Sequence, residues 1–262
     1  MAAVGERQIS YDARGLAEPN AEIPKISEVD GPTAVFDARD LTTRQINLEL
    51  RWLLYEQGVT DVTVKNPGSK HSIGVGILTR CKITYQGSLG YFGCGLIDGP
   101  EVHITGRVGW SACENMMSGV VVIEGNAGSL TGAALRGGDV VVKGRVGARS
   151  GIDQKGGTII TLGSAGSMNG FMMQRGRQVI CGDVGPGLGD SMYDGIMYVG
   201  GKVKSLGIDC VEGEWTDADT EFIERKFRIY GLGSPPEFQK FVCGKKLYNY
   251  DNLEPSERKL VL

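Results

Sequence analysis

Three consecutive stretches decide the fold: GNAGSLTGAALRGGDVVVK (residues 125–143), GRVGARSGIDQKGGTIITL (144–162) and GSAGSMNGFMMQRGRQVIC (163–181). Each is 19 residues long and opens on Gly-x-x-Gly. Working outward, the same pair recurs as Gly87/Gly90, Gly106/Gly109, Gly125/Gly128, Gly144/Gly147, Gly163/Gly166 and Gly182/Gly185. Degenerate copies at Gly68 and Gly201 bring the count to eight registers. Two further glycine columns keep step, one at Gly132, Gly151, Gly170 and Gly189, the other at Gly119, Gly138, Gly157, Gly176 and Gly195. The third residue of each unit is always apolar, from Leu89 through Val108, Ala127, Val146, Ala165 and Val184 to Val203.

Such a period means stacked units, none of which buries its apolar face alone. The runs Val121-Val122-Ile123, Val140-Val141-Val142 and Ile159-Ile160 are β-branched and short, which signals strands. The expected fold is therefore all-β, a parallel β-helix of 19-residue coils about 4.8 Å apart. At roughly 3 Å per residue a coil has a perimeter near 60 Å, enough for three short strands and three corners. The Gly-x-x-Gly glycines are expected to supply positive-φ corners. A period of 19 disfavours the hexapeptide helix of acyltransferases.

The strand runs are apolar on both sides of their alternation. If Val140 and Val142 point inward, Val141 points out. Val122, Val141, Ile160, Val179 and Tyr198 then make an outer apolar ladder, and such a stripe is rarely left bare. Its cover is either this chain's own flank or a partner subunit.

Three units are expected: an N-terminal arm with a capping helix (1–59), the β-helix (60–212) and a C-terminal docking tail (213–262). Residues 1–40 hold Pro19, Pro24 and Pro32 and read as an extended arm. Thr42-Thr43-Arg44-Gln45 resembles a capping box, Ile46, Leu50, Leu53 and Leu54 follow at helical spacing, and Gly58 can end the helix. Thr216-Asp217-Ala218-Asp219 opens a second helix with Phe222, Ile223, Phe227 and Tyr230 on its apolar side. The tail beyond carries Pro235-Pro236, Phe238, Phe241, Tyr248 and Tyr250, aromatics suited to docking.

Glycine is 41 of 262 residues, about 16% against roughly 7% on average. Only 9 prolines accompany it and 41% of residues are hydrophobic, so the excess is neither collagen-like nor a flexible linker. A net charge of −3 argues against nucleic-acid binding and a polybasic membrane anchor. There is no run of 18 apolar residues and no apolar leader at the start, which places the expected location in the cytoplasm. The six cysteines show no Cys-x-x-Cys pair and read as reduced, buried residues. Cys94 and Cys113, 19 apart, should stack in the column that is glycine elsewhere.

Chemistry is hard to find. Gly185-Pro186-Gly187-Leu188-Gly189 is not a dinucleotide fingerprint, and the run from Gly195 to Lys202 misses the P-loop spacing. His71 reads as a structural loop histidine. Asp183, Asp190, Asp194 and Asp209 crowd the last coils as solvated corner groups. No catalytic, cofactor-binding or metal-binding residue is assigned.

The stacked coils resemble the GXGXG domain, the right-handed parallel β-helix at the C-terminal end of glutamate synthase large chains, over roughly residues 60–212. Asn66-Pro67-Gly68, Glu114 to Gly119 (ENMMSG), Gly189 to Tyr193 (GDSMY) and Ser205 to Cys210 (SLGIDC) look like the free-standing version. That version is a separate subunit, as in N-methylglutamate synthase. The resemblance implies a non-catalytic structural chain in a hetero-oligomer. It would space a glutaminase-type amidotransferase subunit and an FMN-bearing subunit, and help enclose an ammonia route. FMN, with an iron–sulfur cluster, belongs to those partners and not to this chain. The alternative is the GXGXG-type chain of a formylmethanofuran dehydrogenase or formyltransferase/hydrolase complex, which carries similar coils. A carbohydrate-active β-helix enzyme is the third option and needs paired carboxylates in a groove.

Overall fold

The computed structural model describes residues 27–244. It is a solenoid of about eight parallel-strand coils with one helix near each end. The sheet that runs its length is built from β1 (Glu28–Asp30), β2 (Thr33–Asp37), β3 (Asp61–Lys65), β4 (Lys82–Gln86), β5 (Asp98–Ile104), β6 (Ser118–Ile123), β7 (Asp139–Val142), β8 (Lys155–Thr161) and β9 (Arg175–Ile180). From β2 to β9 every neighbour is parallel and consecutive. After β10 (Val184–Leu188), β11 (Ile196–Val199) continues the sheet beside β9. The 19-residue period appears directly in the register, Val121↔Val140↔Ile159 and Val122↔Val141↔Ile160.

The second side of the coil is much shorter. It is a line of single parallel bridges, Val108↔Ala127↔Val146↔Ala165↔Val184. Only at the end does it widen into a strand pair, β10 with β12 (Val203–Leu206). The always-apolar third residue of each repeat is this inward column.

The third side is not a strand, contrary to the expected three-strand coil. Here alternate residues take positive φ, as in Phe92, Cys94 and Leu96, then Ser111, Cys113 and Asn115, then Leu130, Gly132 and Ala134. A left-handed residue other than glycine costs roughly 1–2 kcal/mol. The offset comes from hydrogen bonds that climb from coil to coil, including Cys94 N–H to Ile73 C=O and Cys113 N–H to Gly93 C=O, both 2.9 Å. The middle residue of each triplet points inward, so Cys94 and Cys113 are buried in the column that Gly132, Gly151, Gly170 and Gly189 continue.

The Gly-x-x-Gly pairs need a correction. They flank the bend between the first two sides, yet only Gly87, at +145°, has a positive φ. Gly90, Gly106, Gly109, Gly125, Gly128, Gly144, Gly147, Gly163, Gly166, Gly182 and Gly185 do not. They are glycine because the coils touch there through backbone. A Cβ on Gly125 would sit 2.8 Å from the Gly106 carbonyl oxygen, and one on Gly163 at 2.8 Å from that of Gly144. The same glycines bond coil to coil, with Gly144 N–H to Gly125 C=O at 3.1 Å. The positive-φ corners belong to the other two columns, among them Gly138 at +80° and Gly170 at +69°.

Both ends are closed. Helix α1 (Thr43–Arg51) begins with the expected capping box, Gln45 Oε1 accepting from Thr42 N–H at 2.9 Å, and runs into a π-helical segment over Trp52–Glu56. Ile46, Leu50 and Leu53 are buried in the end of the core, and Asn47 pins the helix to the first turn by bonds to Ser72 C=O and Gly74 N–H, both 2.8 Å. The solenoid begins earlier than expected, since Thr33–Asp37, inside the supposed arm, already pairs with β3. Pro19 and Pro24 lie outside the described residues. At the far end β14 (Gln239–Cys243) lies antiparallel on β11, and β13 (Cys210–Glu212) lies on β14. An antiparallel strand ends the parallel stack and covers its open edge.

Candidate functional site

The outer ladder forms as expected. Val122, Val141, Ile160, Val179 and Tyr198 are directly paired from coil to coil. It is not, however, a free interface. Helix α2 (Asp217–Tyr230) lies along it, and Phe222, Ile223 and Phe227 join Val141, Ile160, Val179 and Tyr198 in one buried cluster separate from the coil interior. Phe238 from the tail packs edge-on to Phe227, and Phe241 is buried in β14. The cover is thus the chain's own C-terminal flank. Tyr248 and Tyr250 lie outside the described residues.

The helix is fastened by polar contacts as well. The Tyr198 hydroxyl donates to Asp219 at 2.7 Å, and Lys240 Nζ stands 2.8 Å from the same carboxylate. Burial raises the pKa of Asp219, but the bonds from Lys240, Tyr198 and Thr216 outweigh it and hold the carboxyl at about 2. Lys226 Nζ reaches Asp139 at 2.7 Å, and the Tyr230 hydroxyl donates to that carboxylate too.

A different apolar surface is left uncovered by the described residues. On the third side of the first coils the rings of His71, Tyr91 and Trp110 stack in sequence, with centroids 4.6 and 5.4 Å apart. Tyr91 N–H donates to His71 Nδ1 at 2.8 Å, which fixes the histidine as the foot of the stack. Trp110 is 55% exposed, Leu96 50%, Phe92 48% and Tyr91 42%. Phe92 and Leu96 flank the buried Cys94 and are exposed, although all three share the same positive φ. Sequence reasoning missed this ridge. Its signal was there, since Tyr91 and Trp110 are 19 apart, but two aromatics in one column look like core.

The remaining candidates resolve into structural roles. His103 Nε2 meets Glu124 at 2.8 Å, and Lys143 meets the same carboxylate at 2.9 Å. Burial pushes the Cys94 thiol up to about 12 and raises Cys113 well above the usual thiol value, which suits inert core groups rather than nucleophiles. Asp183 accepts from Lys202 N–H, and Asp194 from Gly195 N–H, both at 2.7 Å, while Asp190 accepts from Ser191 Oγ at 2.8 Å. These carboxylates brace turns. Among the described residues no three His, Cys, Asp or Glu side chains gather as metal ligands. No described helix is long and apolar enough to cross a membrane.

Comparison with known proteins finds a partial relative. Over 66 residues this chain is 38% identical to Protein GlxC of Rhizobium meliloti (strain 1021). The match covers 24% of this chain and 29% of the relative. No family model matches the chain.

Proposed function

We propose that this chain is the non-catalytic structural subunit of a glutamate-synthase-like complex of the N-methylglutamate synthase kind. It spaces a glutaminase-type subunit and an FMN-bearing subunit and helps enclose the path of ammonia between them. The flavin and an iron–sulfur cluster reside in the partners. The observation that carries the reading is the ridge of Tyr91, Phe92, Leu96 and Trp110, exposed among the described residues of a chain that covers its other apolar face with its own helix. Exposed Trp and Tyr are the residue types that dominate binding energy at protein interfaces. The similarity to Protein GlxC and the bracing roles of the histidines and carboxylates support the same reading.

The test is co-expression of this chain, tagged, with the neighbouring subunits from its own genome. Purification should yield a complex with flavin absorbance. Trp110→Ser combined with Tyr91→Ser should release the partners while the isolated chain melts as before. A wild-type chain that stays alone beside co-expressed glutaminase-type and flavin subunits would end the proposal.

A further inference from the structure

Where the strands of the main sheet begin, a trough runs across the coils under α2. Its floor is the positive-φ glycine column, Gly138, Gly157 and Gly176 among its members. With no side chain in that column, five coils from Gly119 to Gly195 leave an open channel about 19 Å long at the 4.8 Å rung spacing. The opposite wall is one face of α2, where Phe222, Arg225 and Lys226 fall together because they are three and four residues apart. The volume of this open trough is about 580 Å³, within the roughly 300–1,000 Å³ of small-molecule sites.

The charge of this trough runs against that of the chain. The protein carries −3 overall, yet four cations and two carboxylates line the trough. Lys226 and Tyr230 hold Asp139, while Asp194 accepts from Gly195 N–H and keeps its charge, so the lining nets +2 with Lys226 already paired. That leaves three guanidinium groups, on Arg175, Arg177 and Arg225. None of the three has a carboxylate partner among the described residues. Arg177 lies over the Phe222 ring, 4.3 Å from its centroid, and its Nε is buried with no hydrogen-bond acceptor. A buried donor left unmade is costly, and a guanidinium fork matches phosphate and carboxylate oxygens two at a time.

We propose that this trough is a binding site for a compact polyanion, a small molecule bearing phosphate or carboxylate groups. Its oxygens fill the space between Arg175, Arg177 and Arg225. A short trough, walled by helix on one side and sheet on the other, favours a small molecule over a polypeptide.

Calorimetric titration of the whole chain with pyrophosphate and, separately, with citrate tests this without any partner subunit. Both runs are made at matched ionic strength, with sodium chloride as the blank. Saturable one-to-one binding of at least one anion is expected, and the stronger of the two tells phosphate from carboxylate chemistry. Arg175→Ala and Arg225→Ala remove side chains with no carboxylate partner among the described residues, so each variant should melt like the wild type. Each should weaken binding by about tenfold or more, the loss of one charge-assisted pair. Lys204→Ala, outside the trough, should bind like the wild type. Absence of saturable binding by either anion overturns the proposal. So does unchanged affinity in the Arg175→Ala/Arg225→Ala double variant, or binding of hexaglutamate alone, which would make the site a peptide groove.

Discussion

Two apolar surfaces of this solenoid meet opposite fates. The ladder from Val141 to Tyr198 is buried under α2, whereas the ridge from Tyr91 to Trp110 faces solvent. Both arise from one cause, a repeat that puts like residues over one another. The difference lies in what the chain has spare to lay on top. The C-terminal flank reaches the end of the stack, turns back as α2 and lies over the late strands β7, β8, β9 and β11. The ridge sits on the early coils, next to the N-terminal cap, and no described segment crosses it. An apolar outer column is therefore evidence that something covers it, and says nothing about which molecule does.

The comparison can be broken most severely at the lid. Phe227→Ala should cost about 3–5 kcal/mol, as large-to-small changes in a packed site do. Urea unfolding should show it, with dye binding to the uncovered ladder. A loss below about 1 kcal/mol would mean the lid is only loosely seated. Next comes the framework that both faces share. Gly144→Val should cost on the order of 3 kcal/mol, because a Cβ there meets Asn126 Oδ1 at 2.3 Å and the Gly125 carbonyl at 2.7 Å. Its φ is not positive, so the penalty is crowding alone, and Gly144→Ala should recover part of it.

A third, smaller effect depends on pH. Asp219 is held at about 2 in the fold against 3.8 for the free group. A depressed carboxyl stabilises above its unfolded pKa and loses that contribution as pH falls through the folded one. The fastening of α2 should thus lose about 2 kcal/mol between about pH 4 and pH 2. Asp219→Asn should flatten that part of the stability curve, and an unaltered curve would remove Asp219 from the fastening. Smallest of all for the fold, Trp110→Ser should change stability by less than about 1 kcal/mol, in contrast to Phe227. Thermal melting distinguishes the two. A large drop at Trp110 would make the ridge part of the core and not a docking surface.

Much of this was legible from the residues. The period, the strand runs, the inward column from Leu89 to Val203, both capped helices and the place of Cys94 and Cys113 in the glycine column all follow from spacing. The role of the Gly-x-x-Gly pairs was not legible. Glycine is required both where φ is positive and where two backbones touch, and the letter is the same in each case. Gly144 and Gly138 look alike as letters, yet the first is selected by a neighbour 2.7 Å away and the second by φ +80° together with its neighbours. The third side escaped notice because left-handed Phe92, Ser111 and Leu130 break the ordinary preference. Hydrogen bonds between coils, such as Phe92 N–H to Trp110 C=O at 2.8 Å, help to hold them there.

The sequence by itself determined the repeat length, the stacking direction of like residues and the existence of an outer apolar ladder, since these are periodic and need no knowledge of distant contacts. The tertiary structure alone decided that α2 covers that ladder, that Tyr91 and Trp110 stay bare, and that Arg175, Arg177 and Arg225 share one trough. Those outcomes depend on where a flank far along the chain comes to rest, and a non-local contact of that kind leaves no period to read.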